Sequence, residues 1–214
     1  HLKGVFMLIK SLLFFSLLLN LNLIADENLE TKNPNDLGIN QSNIDNLFNL
    51  SFQDDSTQSV ALLKNGYLIG ERYADGFTKD SYGTSWSMAK SFYAALILIS
   101  IDKGEIKSLD EKASNYLTFF DDERSAITIR QLLNMSSGLR YPDHQHETMF
   151  FRKDHLEYSR NVKLEKEPDT LFEYNNVNSM LLGEILEVAT GIKADILLEE
   201  RILNKIGIEK KTLW

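Results

Sequence analysis

The chain of 214 residues has no cysteine, only three prolines, and no surplus of positive charge. Without cysteine there are no disulfide staples, no thiolate-zinc sites, no thiol nucleophile and no lipidated cysteine. With 23 Lys+Arg against 31 Asp+Glu the formal net charge is -8, which argues against a strongly basic nucleic-acid binder. Scarce proline and 43% hydrophobic residues describe a chain that buries a core, not a disordered or collagen-like one. The length admits one ordinary domain or part of a larger one.

The chain opens on His1, and its first methionine, Met7, reads as the start. Lys10 then precedes an apolar run over residues 12–24, broken only by Ser16, Asn20 and Asn22, and Ala25 stands before Asp26-Glu27. That order matches a secretory signal peptide, and the run is shorter than the roughly 20 apolar residues of a spanning helix. Leu23 occupies a position where cleavage favours a small residue, so an uncleaved N-terminal anchor is the alternative. We therefore expect an export signal or anchor over 1–25, a flexible lead and N-terminal helix over 26–57, and a catalytic body over 58–214. The expected location is periplasmic or secreted in a bacterium, with membrane contact only if the signal stays attached. Lys3 and Lys10 are the only charges in residues 1–25, so their removal takes the net charge from -8 to -10.

Ile44, Leu47, Phe48 and Phe52 recur at helical spacing and predict a helix over 41–52. Two apolar runs, 59–63 and 67–73, flank Lys64-Asn65-Gly66, and Asn-Gly is the strongest short hairpin signal. A polar loop over 74–86 opens onto an almost wholly apolar segment, 87–103, that predicts a buried helix ended by Gly104. Short helices are expected at 109–112 and 127–133, and an irregular excursion over 139–171. Further helices are expected over 176–190, closed by Gly191, and over 194–205. A hairpin followed by many helices predicts an α+β fold with helices packed on an antiparallel sheet.

Ser87-Met88-Ala89-Lys90 places a hydroxyl and an amine on one helical face. Ser100-Ile101-Asp102-Lys103 repeats that spacing, so context has to choose. Ser87 stands where a polar loop meets the start of an apolar helix, where backbone N–H groups and the helix dipole can stabilise an oxyanion; Ser100 lies late in the same helix. The plainer role for Ser87 is helix N-cap. Tyr174-Asn175-Asn176 precedes another helix, where a capping Asn beside a core Tyr is the plainer role.

These motifs lie in one order: Ser85-Trp86-Ser87-Met88-Ala89-Lys90, then Leu132-Leu133-Asn134-Met135-Ser136-Ser137-Gly138-Leu139, then Phe172-Glu173-Tyr174-Asn175-Asn176. From about Ser59 to Trp214 the chain resembles serine hydrolases related to class C β-lactamases and D-alanyl-D-alanine carboxypeptidases. Its nearest look is to the branch of 6-aminohexanoate-dimer hydrolases and esterases. Tyr-x-Asn in place of Ser-Asp-Asn separates it from the class A pattern. The resemblance implies a β-lactamase/transpeptidase-like fold. It implies Ser87 as acylated nucleophile, Lys90 as general base, Tyr174 as proton shuttle and Asn176 as a substrate-binding residue. The Ser87 N–H would form half of an oxyanion hole. A serine hydroxyl needs an adjacent base before it attacks, and a lysine base needs desolvation or a neighbouring cation.

Two departures stand out. The third motif of such enzymes, Lys-Thr-Gly or His-x-Gly on a strand, is absent, and Lys211-Thr212-Leu213 lacks the glycine. The chain therefore reads as the N-terminal portion of a longer enzyme whose C-terminal strands lie outside it, inactive alone. Pro168-Asp169 stands where Pro-Gly is common. His144-Gln145-His146 offers two imidazoles without a third ligand, so neither metal nor cofactor is expected. The substrate expected is a small-molecule or peptide amide or ester, with no nucleic-acid partner. The rival readings are a catalytically inactive penicillin-binding-like sensor or scaffold, and a non-functional fragment.

Overall fold

The computed structural model describes residues 29–141, 149 and 151–208. Its elements run α1 (Gln41–Ser51), β1 (Ser59–Lys64), β2 (Tyr67–Tyr73), α2 (Ala89–Asp102), α3 (Ile129–Leu133), α4 (His155–Arg160), α5 (Asn176–Thr190) and α6 (Ala194–Arg201). The architecture is α+β, as expected, with one antiparallel two-stranded sheet among the described residues. The export segment, the His144/His146 pair and Lys211-Thr212-Leu213 lie outside the described residues.

Asn65 and Gly66 take φ values of 52° and 84°, the left-handed pair that lets a two-residue turn follow the strand twist. The pairing runs from Ser59↔Tyr73 to Lys64↔Tyr67 with a bulge between Leu62 and Leu63. Helix α1 lays Ile44 and Phe48 onto Ile69 of the hairpin. Gly70 permits that approach, because a Cβ there would stand 3.1 Å from the Phe48 ring. The lead expected to be flexible is tied down where it is described. The Lys32 N–H donates to the Leu68 carbonyl at 3.0 Å, and the Leu68 N–H donates to the Glu30 carbonyl at 2.9 Å. Both backbone polar groups of Leu68 are thereby paired at one point on the edge of β2.

The larger core is helical, and α5 is its axis, packed against α2, α3, α4 and α6. Asn175 caps α5 by accepting from the Val177 N–H at 2.9 Å, and Gly191 at φ 73° ends it. Val177, Leu181, Leu182, Ile185 and Leu186 lie buried along α5, each contributing about 1.5–3 kcal/mol by removal from water. Gly183 faces Tyr93 of α2, whose ring carbon would lie 3.1 Å from an added Cβ.

Several expectations need correction. The segment 87–103 is not one buried helix: a 3-10 turn, Trp86–Met88, precedes α2, whose buried residues are Leu96, Ile97 and Ser100. Leu98 on the other face is half exposed. Residues 109–112 form no helix but run beside 127–130, with the Arg130 N–H donating to the Leu109 carbonyl at 2.8 Å and an isolated bridge Lys112↔Thr128. The short helix after them begins at Ile129, because Thr128 and Gln131 form a capping box. The excursion over 139–171 contains α4, which mixed charge concealed: Arg160 spends its charge on a bidentate pair with Glu184 of α5, at 2.6 and 3.1 Å. The last helix stops at Arg201 and passes into the 3-10 turn Leu203–Ile206.

Replacing Ile185 by Ala should destabilise the fold by about 2–5 kcal/mol, the cost of a buried cavity. Val188→Ala, on the exposed face of the same helix, should stay within about 0.5 kcal/mol. Urea unfolding of the two variants checks the contrast.

Candidate active site

Ser87 sits at the centre of the 3-10 turn ahead of α2. The turn is entered through Trp86 at φ 45°, a conformation that strains a bulky residue by about 1–3 kcal/mol and here leaves Ser87 exposed. No side chain caps α2, so the plain role of Ser87 as N-cap falls away. Its hydroxyl is engaged elsewhere. Lys90, one turn on, donates from Nζ to Ser87 Oγ at 3.1 Å, and the Tyr174 phenol donates to the same oxygen at 2.5 Å. The second contact joins residues 87 positions apart. At that length it falls in the range of charge-assisted O–H···O bonds.

Lys90 Nζ also lies 4.9 Å from the centroid of the Tyr174 ring. Partial burial of Tyr174 pushes its phenol up, but hydrogen bonds with Lys90 and Ser87 and the Lys90 charge outweigh that, and the net direction is downward. Lys90 is half-buried, so the helix that carries it removes it from water only in part.

Asn176, the first residue of α5, is buried and donates from Nδ2 to the Tyr141 phenol oxygen at 2.9 Å. Burial raises the Tyr141 phenol, more than the Asn176 hydrogen bonds lower it. Asn175, between Tyr174 and Asn176, turns inward: besides capping α5, its Nδ2 donates to the Leu139 carbonyl at 3.0 Å. An Asn directly before an apolar helical repeat is the sequence signal for that role, here one residue from the Asn singled out. The competing Ser100 is fully buried and accepts from Arg201 at 3.0 Å. Ser87, Lys90 and Tyr174 thus converge, Asn176 is buried two residues on from Tyr174 with its amide paired to Tyr141, and Ser100 is part of the core. Among the described residues no His, Asp or Glu side chains gather in a metal-binding group.

The comparisons with known proteins give the family and the fold. The family model described as beta-lactamase matches residues 55–213; the chain belongs to that family. A D-aminopeptidase of Brucella anthropi is 30% identical over 173 residues, covering 72% of this chain and 32% of that protein. Among solved structures, a Bacillus anthracis protein described as a 6-aminohexanoate-dimer hydrolase shares 24% identity with a TM-score of 0.68, covering 77% of this chain and 48% of the other. A class C beta-lactamase shares 20% identity with a TM-score of 0.64, covering 79% and 49%. These likenesses show a β-lactamase/transpeptidase-like fold, and the proteins compared are hydrolases. The chain spans about a third of the length of the curated relative.

Replacing Lys90 by Ala removes a donor and a cation from Tyr174 while its burial remains. The Tyr174 phenol should therefore titrate higher in Lys90→Ala, as followed by the tyrosine Cζ resonance in 13C NMR; an unmoved titration would contradict the contact.

Proposed function

We propose that the chain carries the acylation machinery of a serine hydrolase that cleaves an amide or ester bond through an acyl-enzyme on Ser87. The observation that carries this reading is the double engagement of the Ser87 hydroxyl, by Lys90 at 3.1 Å and by Tyr174 at 2.5 Å. Ser87 Oγ attacks the carbonyl carbon as its proton passes to Lys90, which accepts it as the neutral amine and becomes the ammonium. The carbonyl π pair moves to oxygen, next to the first turns of α2, whose N–H groups and dipole favour an anion there. When the tetrahedral species collapses, the bond to the leaving nitrogen or oxygen breaks, and Tyr174 relays the proton to it. Water then attacks the ester on Ser87, with the same groups moving the proton in reverse, and releases the acid. Asn176 contributes to substrate binding from the start of α5.

The lowered Tyr174 phenol favours a second assignment, in which Tyr174 takes the Ser87 proton and Lys90 holds the phenolate. Lys90→Arg separates the two, since arginine keeps the charge but does not act as a base. Retained acylation would place the base at Tyr174; loss equal to that of Lys90→Ala would place it at Lys90.

A scaffold that only binds has no chemical use for three converging proton-transfer groups, which disfavours the non-catalytic rival. The substrate class proposed is a small-molecule or peptide amide or ester, in line with the D-aminopeptidase and hydrolase names of its relatives. The assay is p-nitrophenyl ester hydrolysis by the longest translation product containing these residues. A burst followed by slower turnover is expected, and Ser87→Ala should lower kcat by about three orders of magnitude or more. Full turnover in that variant would remove the assignment.

A further inference from the structure

The turn that leads into Tyr174 is built around a residue that does not suit its own backbone. Asp169 holds φ 65°, a region that glycine enters freely and a side-chain-bearing residue enters at about 1–2 kcal/mol. Its carboxylate is committed on both oxygens: Oδ2 accepts from Gln131 Nε2 at 2.7 Å and Oδ1 from Ser136 Oγ at 2.6 Å. Its backbone N–H donates to the Ser136 carbonyl at 2.8 Å. Four residues on, the Glu173 N–H donates to the Met135 carbonyl at 2.9 Å. The segment before Tyr174 is thereby fastened at both ends to the turn that follows α3. The fastening is itself anchored, because Gln131 Oε1 accepts from the Thr128 N–H at 2.9 Å in the capping box of α3, and α3 packs on α5. The bonds from Gln131 and Ser136, with the Arg130 charge, hold the Asp169 carboxyl below its ordinary range.

We propose that Asp169 is a positioning residue for the acyl transfer: by bridging Gln131 and Ser136, its carboxylate sets where the Tyr174 phenol meets Ser87. The inference rests on the reading of Ser87, Lys90 and Tyr174 as the reacting groups. A residue needed only to make the turn is replaceable by glycine, which adopts the same φ without strain. A residue needed for its carboxylate is not. Asparagine tolerates the left-handed region and keeps a carbonyl acceptor for Gln131, while Ser136 can rotate its hydroxyl to accept from the amide.

The test compares Asp169→Gly, Asp169→Asn and Ser87→Ala in p-nitrophenyl acetate hydrolysis, using the longest translation product containing these residues. Asp169→Gly should lose about 10- to 100-fold in kcat with KM within about two-fold, the signature of a displaced reacting group. Asp169→Asn should recover to within about five-fold of the parent. A parental kcat in Asp169→Gly, or equal losses in both variants, would overturn the proposal. Undiminished turnover in Ser87→Ala would instead strike the reading beneath it. The Tyr174 titration, read by 13C NMR, answers independently of activity: Asp169→Gly should raise it as the contacts with Lys90 and Ser87 loosen. An unchanged titration would overturn the positioning role.

Discussion

A serine and a tyrosine 87 positions apart share one short hydrogen bond, and the helical body is what keeps them in reach. Ser87 is carried by the turn ahead of α2, and Tyr174 stands two residues before α5, so their distance is the distance between two helix starts. That spacing is set by the apolar seam between α2 and α5, in which Leu96, Ile97, Leu181 and Ile185 belong to one fully buried cluster. Trp86, Met135 and Asp169 all hold left-handed backbones around the site. Strain of about 1–3 kcal/mol at each persists only where the surroundings over-determine the conformation. The buried side chains of α5, each contributing a comparable amount, supply that determination.

Polar ties complete the frame at its margins. Arg160 joins α4 to Glu184 of α5, and Arg201 joins α6 to Glu105 beyond α2 at 2.6 and 2.7 Å while donating to Ser100. Arg124 is buried, paired with Asp122 at 2.8 Å, and donates to the carbonyls of Phe119, Arg160 and Val162. Such pairs add little net stability after desolvation, but removing one partner leaves a buried group unsatisfied. Their effect is to fix how the helices and loops meet.

Elements with strong local signals were legible in the sequence. Asn65-Gly66 between two apolar runs marked the hairpin, and the spacing from Val177 to Leu186 with Gly191 beyond marked α5. The serine–lysine spacing and Tyr-x-Asn named groups that prove to be neighbours, although nothing local told how close Ser87 and Tyr174 would come. What escaped was decided by distant partners. Helix α4 is six residues long and owes its place to Asp154 and to Arg160 meeting Glu184, not to periodicity. Residues 109–112 looked helical by composition, yet backbone groups of 127–130 compete for them and win. The even apolarity of α2 indicated burial all round, but only the face turned to α5 and α6 is covered. The Asp169 turn was visible only as a departure from the Pro-Gly common in the family the chain resembles, and its partners Gln131 and Ser136 had no local signal.

Gly183 holds a consequence of a different kind. It is the point on α5 where a missing methyl group lets Tyr93 of α2 close in, one helical turn beyond Lys90 along the same face. The gap between the two helices is therefore gauged by an absent atom rather than by any reacting residue. One added carbon at this position would meet the Tyr93 ring at 3.1 Å, so that ring would have to give by a few tenths of an ångström.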